Sequence, residues 1–483
     1  MKKIVLALAI LALQFSSLNL AYAGGLVTNS NQNATFLRQM SQDAIIDVNG
    51  VYFNPAGTAF LSDGWHVAFN IQSAKQSRDI TTTFPLFQQN INNPSATHKF
   101  DGDALAPVIP SLHASYNHGR WSLNANFSLG GGGGKCEFDQ GLGSFEAAYS
   151  AALLQNVPGL LPTMLVPGLI SNGVPEPYAS QIAATGQYTG YTMNSYMKGR
   201  QYYFGLSFGA TYKFMDNLAG FVGLRGVYAT CNYNGFVKPG IAYSIPAMAP
   251  VFPGTEGTAD LAQYGIDLNC DQTGFGVTPI LGIDYKINKH WNVAARYEAE
   301  TKLRLKNKTE AAVPALVAAA AGPTLAQFKD GKKVEANIPA ILSAGVQYSP
   351  IEKVRILAGW HYYFDKAAKQ YADKQKHIEK NTQEFSAGVE WDINKWVTLS
   401  GSWQNTRYDL GDVYMSDLSF NLSNNMLGGG VRVNATEKIH IDLGYMHTLY
   451  KDKTVTTQTA VGEKKDNYHR SNRVFGIGIN VDF

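Results

Sequence analysis

Six cations, Arg225, Arg296, Lys302, Arg304, Arg355 and Arg432, fall at one parity within segments that alternate apolar and polar residues. The carboxylates Glu298, Glu300, Glu384, Glu390 and Asp442 share that parity. Charges gathered on one face can form ion-pair ladders, or a cation can hold the carboxylate of a ligand. Hydrolysis is not indicated: His361 and His440 are scattered, and no motif sets a Ser or Cys nucleophile beside them. No nucleotide-binding, metal-ligand or phosphate-cradling motif appears, so neither an enzyme nor a cofactor is expected. Of three cysteines, Cys231 and Cys270 bracket one loop and are candidates for a disulfide, leaving Cys136 over.

Two other features could handle an apolar molecule. One is a set of unusually apolar connecting segments, carrying Leu153, Leu154, Leu160 and Leu161 in the first, Ile245 and Phe252 in the second, and Leu316 in the third. Exposed apolar patches commonly mark binding sites, although such segments could also pack on each other as a cap. The other is the run Gly130, Gly131, Gly132, Gly133 and Gly134, which marks either a kinked strand or a flexible start to a long loop.

The elements that would position these residues are strands. Charged residues make up 16% of the chain, aromatics 12%, and Gly 47 of 483 residues; an average globular chain is roughly 25% charged. A net charge of +3 gives no nucleic-acid footprint. No run of about 18 apolar residues suggests a bundle of membrane helices. Trp65, Val67, Phe69 and Ile71 alternate with His66, Ala68, Asn70 and Gln72, and Trp121 to Leu129 repeats the pattern. As a helix, 291–305 would ring itself with charge, whereas as a strand its charges lie on one side.

Fourteen strands are predicted, over 65–74, 107–117, 121–129, 202–214, 218–233, 273–287, 291–305, 333–348, 354–364, 382–392, 396–408, 424–435, 439–450 and 473–483. Short turns follow the even strands and long loops the odd ones, the asymmetry expected of a transmembrane barrel. The fold class is therefore all-β: a 14-stranded antiparallel transmembrane β-barrel over residues 65–483. Residues 1–23, with Lys2, Lys3, an apolar core and Ala21-Tyr22-Ala23, read as a signal peptide for export. Residues 24–64 are too apolar for a solvated tail and are predicted to plug the lumen as a hatch.

Within that hatch, Asn54-Pro55-Ala56 resembles the FadL/TodX family of outer-membrane transporters of long-chain fatty acids and other hydrophobic compounds. Leu206 to Asn217, Gly282 to Ile287, Ala295 to Thr301 and Ile338-Pro339-Ala340 look similar to the same family. The resemblance implies a monomeric protein of the Gram-negative outer membrane. Its partners would be hydrophobic molecules and membrane lipid. Substrate would collect at the apolar loops, enter a pocket beside the hatch, and leave sideways through a kink in the third strand at Gly130–Gly134. Arg225, Arg296, Arg304 and Arg355 are then candidates for contact with a carboxylate. The chain lacks a matching basic residue late in strand 5, which opens the door to neutral substrates. A general diffusion porin and a surface adhesin are the alternatives.

Overall fold

The computed structural model describes residues 27–28, 33–248, 256–261, 265–312 and 326–483; the side chains of Asn156 and Leu160, and the predicted signal peptide, lie outside this description. Fourteen antiparallel strands form a closed barrel. They are β1 (Gly64–Thr83), β2 (Thr97–His118), β3 (Trp121–Phe138), β4 (Gln187–Met215), β5 (Leu218–Ser244), β6 (Ile266–Lys286) and β7 (Trp291–Glu298). They continue as β8 (Ile341–Ile351), β9 (Val354–Tyr363), β10 (Lys380–Asp392), β11 (Val397–Asp409), β12 (Asn424–Asn434), β13 (Ile439–Tyr450) and β14 (Gly462–Asp482). Closure comes from β1 against β14, with Phe69 opposite Ile479 and Ile71 opposite Ile477. Each of the fourteen predicted strands has a counterpart, although those predicted at 291–305 and 333–348 are interrupted, at 299–303 and 336–340.

The wall is built by period two. Trp65, Phe69 and Ile71 face outward with roughly half or more than a third of their surface exposed, while His66, Ala68, Asn70 and Gln72 are buried in the lumen. The loop-side ends run further than alternation showed. β4 begins at Gln187 and β5 reaches Ser244, and Arg304–Ala312, Lys333–Glu335 and Lys453–Thr459 prolong β7, β8 and β13. Above the lipid a strand no longer needs an apolar outer face, so the pattern that announces it fades.

The hatch sits inside. Its helix α1 (Ala34–Arg38) starts at Asn33, whose side chain accepts from Phe36 N–H at 2.6 Å. Helix α2 (Gly50–Phe53) leads into a 3₁₀ turn over Pro55–Phe60. Asn54 caps that turn, accepting from Ala56 N–H at 3.3 Å, and Pro55 takes the first position, where a missing N–H costs nothing. The Asn-Pro-Ala motif is thus a helix start, and Asn54 Nδ2 also donates to the Ile283 carbonyl at 3.0 Å, tying it to β6.

Inward-facing glycines make the groove for the hatch. A Cβ on Gly388 would sit 2.2 Å from Gln39 Oε1, one on Gly428 2.3 Å from the Leu37 carbonyl, and one on Gly444 2.6 Å from the Ala34 carbonyl. These strands accept the hatch backbone only because they lack side chains there.

Candidate functional site

Tyr52 of the hatch stands beside three charged groups of the wall. Arg225 of β5 donates from Nη1 and Nη2 to Glu298 of β7 at 2.7 and 3.0 Å, and from Nε to Ser207 at 3.1 Å. Its guanidinium lies 4.8 Å from the Tyr52 ring centre. Arg296 shares Glu298 at 3.0 Å and donates to the Tyr52 carbonyl. All three charged residues are buried, and two cations face one carboxylate. This is the predicted ladder, but within it the trio carries one excess positive charge.

Beside the trio lies a small pocket lined among others by Val27, Tyr52, Tyr203, Val227 and Ile341, with Arg225 and Glu298 in its wall. A second, smaller space that Arg225 also lines lies between Val51, Tyr52 and Pro55 of the hatch and Phe208, Phe221 and Ile280 of the wall. Gly130 also lines the first pocket, so it abuts the glycine run.

There the wall is interrupted. The β2–β3 ladder holds at Ala104 opposite Cys136 and resumes only at Leu112 opposite Phe127. Residues 105–111 and 128–135 are left out of it. β3 stays attached to β4 through Leu129, Gly131 and Gly134, with register shifts around Gly131. Gly132 and Gly134 adopt φ of +103° and +71°, and a Cβ on Gly132 would meet the Gln201 carbonyl at 2.4 Å. The run is therefore a kinked strand, not the start of a loop. Across from it, Pro107 and Pro110 lack N–H groups, so β2 has fewer donors to offer at the same place.

Other predicted residues fare unevenly. Arg355 is inward but committed, to Glu390 at 2.9 Å and Asp392 at 2.6 and 2.8 Å. Arg304 is outward, with its side chain 71% exposed and an ion pair to Glu335 at 3.7 Å; Lys302 is outward too. The correction has a local cause. The strand breaks between Glu298 and Arg304, where Thr301 bridges Ile338. Glu298 is inward before the break, and Thr301, Leu303 and Leu305 are inward after it. One inserted residue flips every later side chain.

The disulfide is also corrected. Cys231 lies opposite Gln272 and Cys270 opposite Tyr233, so the two cysteines are diagonal neighbours on β5 and β6. Diagonal positions are about 7–8 Å apart, beyond disulfide reach, and both thiols are free and buried.

The first of the apolar segments expected as loops is helical. Helix α3 (Gly143–Ser171) bends by 67° between Gly159 and Leu161, with Pro158 and Pro162 beside the break; α4 (Glu176–Ala183) follows. Leu153 and Leu161 pack with Leu165, Tyr191, Ile241 and Ile245 in one cluster, whereas Leu154 packs against another. The structure thus brings Leu153, Leu161 and Ile245 together as a buried cap. Phe252, Leu316 and the side chain of Leu160 lie outside the described residues.

The sequence reading missed the hatch's own charges. Arg38 pairs with Glu390 and with Asp442 at 2.8 Å. Arg432 binds Asp47 at 2.6 Å and Asp442 at 2.8 Å. Asp43 lies 3.0 Å from His361, which reaches Glu384 at 3.2 Å. A surplus of lumenal carboxylates on β10 and β13 was the available signal, since each needed a cation from somewhere.

A closed fourteen-strand barrel with an internal hatch and an interrupted third strand defines a class of fold. The structure matches a Pseudomonas aeruginosa FadL homologue with a TM-score of 0.62 at 13% identity, over 95% of this chain and 100% of that one. It matches the Pseudomonas putida toluene transporter TodX at 0.56 and 12%, over 96% and 99%. For the Ralstonia pickettii toluene transporter TbuX the values are 0.52 and 14%, over 96% and 99%. No protein-family model matches the sequence, and no curated protein sequence does. At these identities the likeness establishes that the chain has the FadL/TodX fold.

Proposed function

We propose that this protein is a passive transporter of hydrophobic molecules in the Gram-negative outer membrane, with long-chain fatty acids as the leading substrates and no enzymatic activity. The observation that carries this reading is the pocket at Tyr52, which has mostly apolar walls, Arg225 and Glu298 in its lining, and Gly130 of the broken ladder on its boundary; Arg296, outside the lining, shares Glu298 and leaves the trio with an excess positive charge. An acyl tail suits the walls, and a carboxylate would complete the charge of the trio. In this reading substrate gathers at the cap around α3, moves to the pocket, and leaves between β2 and β3 into the membrane. The solved neighbours include toluene transporters, and the bidentate hold of Glu298 on Arg225 favours a second reading with a neutral substrate. A hatch filling the lumen argues against an open diffusion porin.

Uptake of labelled oleate by cells with and without the protein, alongside liposome swelling with small sugars, tests the proposal. Oleate uptake without sugar flux is expected. Sugar flux without oleate or toluene uptake would sink it.

A further inference from the structure

Above the break in β7 the outward row reads Lys302, Arg304, Lys306 and Lys308, all exposed. Lys333 joins it from the neighbouring strand, directly opposite Lys306. Five cations on one patch of wall are unusual in a chain that is 16% charged. Their compensation is thin. Glu335 pairs with Arg304 and with Lys369; Asp271 stands opposite Lys308, and Glu310 ends the outward row just beyond it. Among the described residues, Lys302, Lys306, Lys308 and Lys333 form no ion pair. The neighbouring segment 313–325 contains no charged residue, so it brings no counter-charge.

The height of this patch on the barrel is what gives it meaning. On β6 the outward positions are apolar from Tyr285 up to Phe275, which is 64% exposed. They turn polar at Thr273, which lies opposite Lys306. On β7 the climb from Trp291 to Lys302 is roughly 28 Å at about 3.3 Å per residue and about 40° of tilt, against an apolar band of about 25 Å. The cations therefore begin where the hydrocarbon ends, on the side of the long loops. A solvated charged face could sit anywhere above the membrane, whereas this one sits at its rim.

From this placement we infer that the patch is a docking surface for the phosphates of an outer-leaflet phosphorylated glycolipid. Its acyl chains lie on Phe275, Val277 and Leu281, and its phosphates reach Lys302, Arg304, Lys306 and Lys333. The charge is complementary and the surface is continuous with the lipid-facing wall. The inference rests on the membrane orientation proposed above but not on any substrate.

Native mass spectrometry of the full chain in detergent can test it with three probes: bisphosphorylated lipid A, dephosphorylated lipid A and inorganic phosphate. The protein should bind the first and not the other two. K302Q/R304Q/K306Q should weaken that binding about a hundredfold, and Lys306→Gln alone about fivefold, as expected for cations at a charged lipid surface. Lys395→Gln, on the turn at the opposite end of the barrel, should change nothing. Equal binding of the dephosphorylated lipid, displacement by millimolar inorganic phosphate, or equal loss in Lys395→Gln would overturn the inference. Because binding is read on purified protein, a failed oleate assay with intact lipid A binding would count against the transport proposal alone.

Discussion

Arg225 shows what a single parity argument can and cannot reveal. Alternation places Arg225, Arg296 and Arg355 in the lumen, as the structure does, because no irregularity precedes them in their strands. Arg304 failed because one inserted residue after Glu298 reversed the face, and a bulge leaves no mark in a residue-type pattern. Arg225 also carries the sharpest functional expectation. Arg225→Gln removes charge from the pocket while Arg296 still holds Glu298. Uptake of oleate should fall about tenfold or more, from the ~1.5–3 kcal/mol of a hydrogen bond to a charged group. Toluene uptake should hardly change. An equal fall for both substrates would remove the carboxylate-binding role from this residue.

At the scale of elements, all fourteen strands were legible because the lipid imposes period two on each. The loop helix α3 was not, since its three internal prolines point away from a helix. The kink was half legible: the glycines were visible, but Pro107 and Pro110 on the facing strand went unread. Gly132→Val introduces a Cβ into the Gln201 carbonyl and forces φ from +103°. It should cut oleate uptake several-fold while heat-resistant barrel remains, and unchanged uptake would argue against exit between β2 and β3. The cap makes a separate prediction. Burial alone would lower the His98 imidazole, but the hydrogen bond and charge of Glu146 outweigh it and hold it above its ordinary value. Glu146 lies on α3 and also accepts from Asn90 at 2.7 Å and Tyr191 at 2.9 Å. A raised folded value means the stabilisation is complete below the unfolded value of about 6.5 and is lost as pH rises through the folded one. Proteolysis of α3 should therefore accelerate above neutral pH in the wild type. His98→Asn should be cut faster at pH 6 and show less pH dependence; an identical profile in the variant would refute the link.

For the molecule as a whole, the hatch is attached unequally. Toward β9–β13 it is held by charge: Arg38 with Glu390 and Asp442, Asp47 with Arg432, and Asp43 with His361. Toward β3–β6 it makes no ion pair among the described residues: Asn54 bonds Ile283, Thr58 bonds Asn124 at 3.0 Å, Thr211 bonds the Pro55 carbonyl at 3.0 Å, and the cations Arg225 and Lys286 only face the Tyr52 and Phe60 rings. The pocket and the broken ladder lie on this neutral side. A hatch that stays fixed while one flank yields would let a substrate pass sideways without opening the barrel from end to end. Neither half of this arrangement was legible in the sequence, because each pair joins a hatch residue to a strand residue 318 to 404 positions later. Arg38→Met leaves two buried carboxylates short of a partner, a loss of about 3–5 kcal/mol. The hatch should loosen and liposomes carrying the variant should swell in small sugars. Asn54→Ala removes a cap worth about 1 kcal/mol on the neutral flank, and should leave the liposomes tight. Swelling with both variants, or with neither, would show that the charged contacts are not what holds the lumen closed.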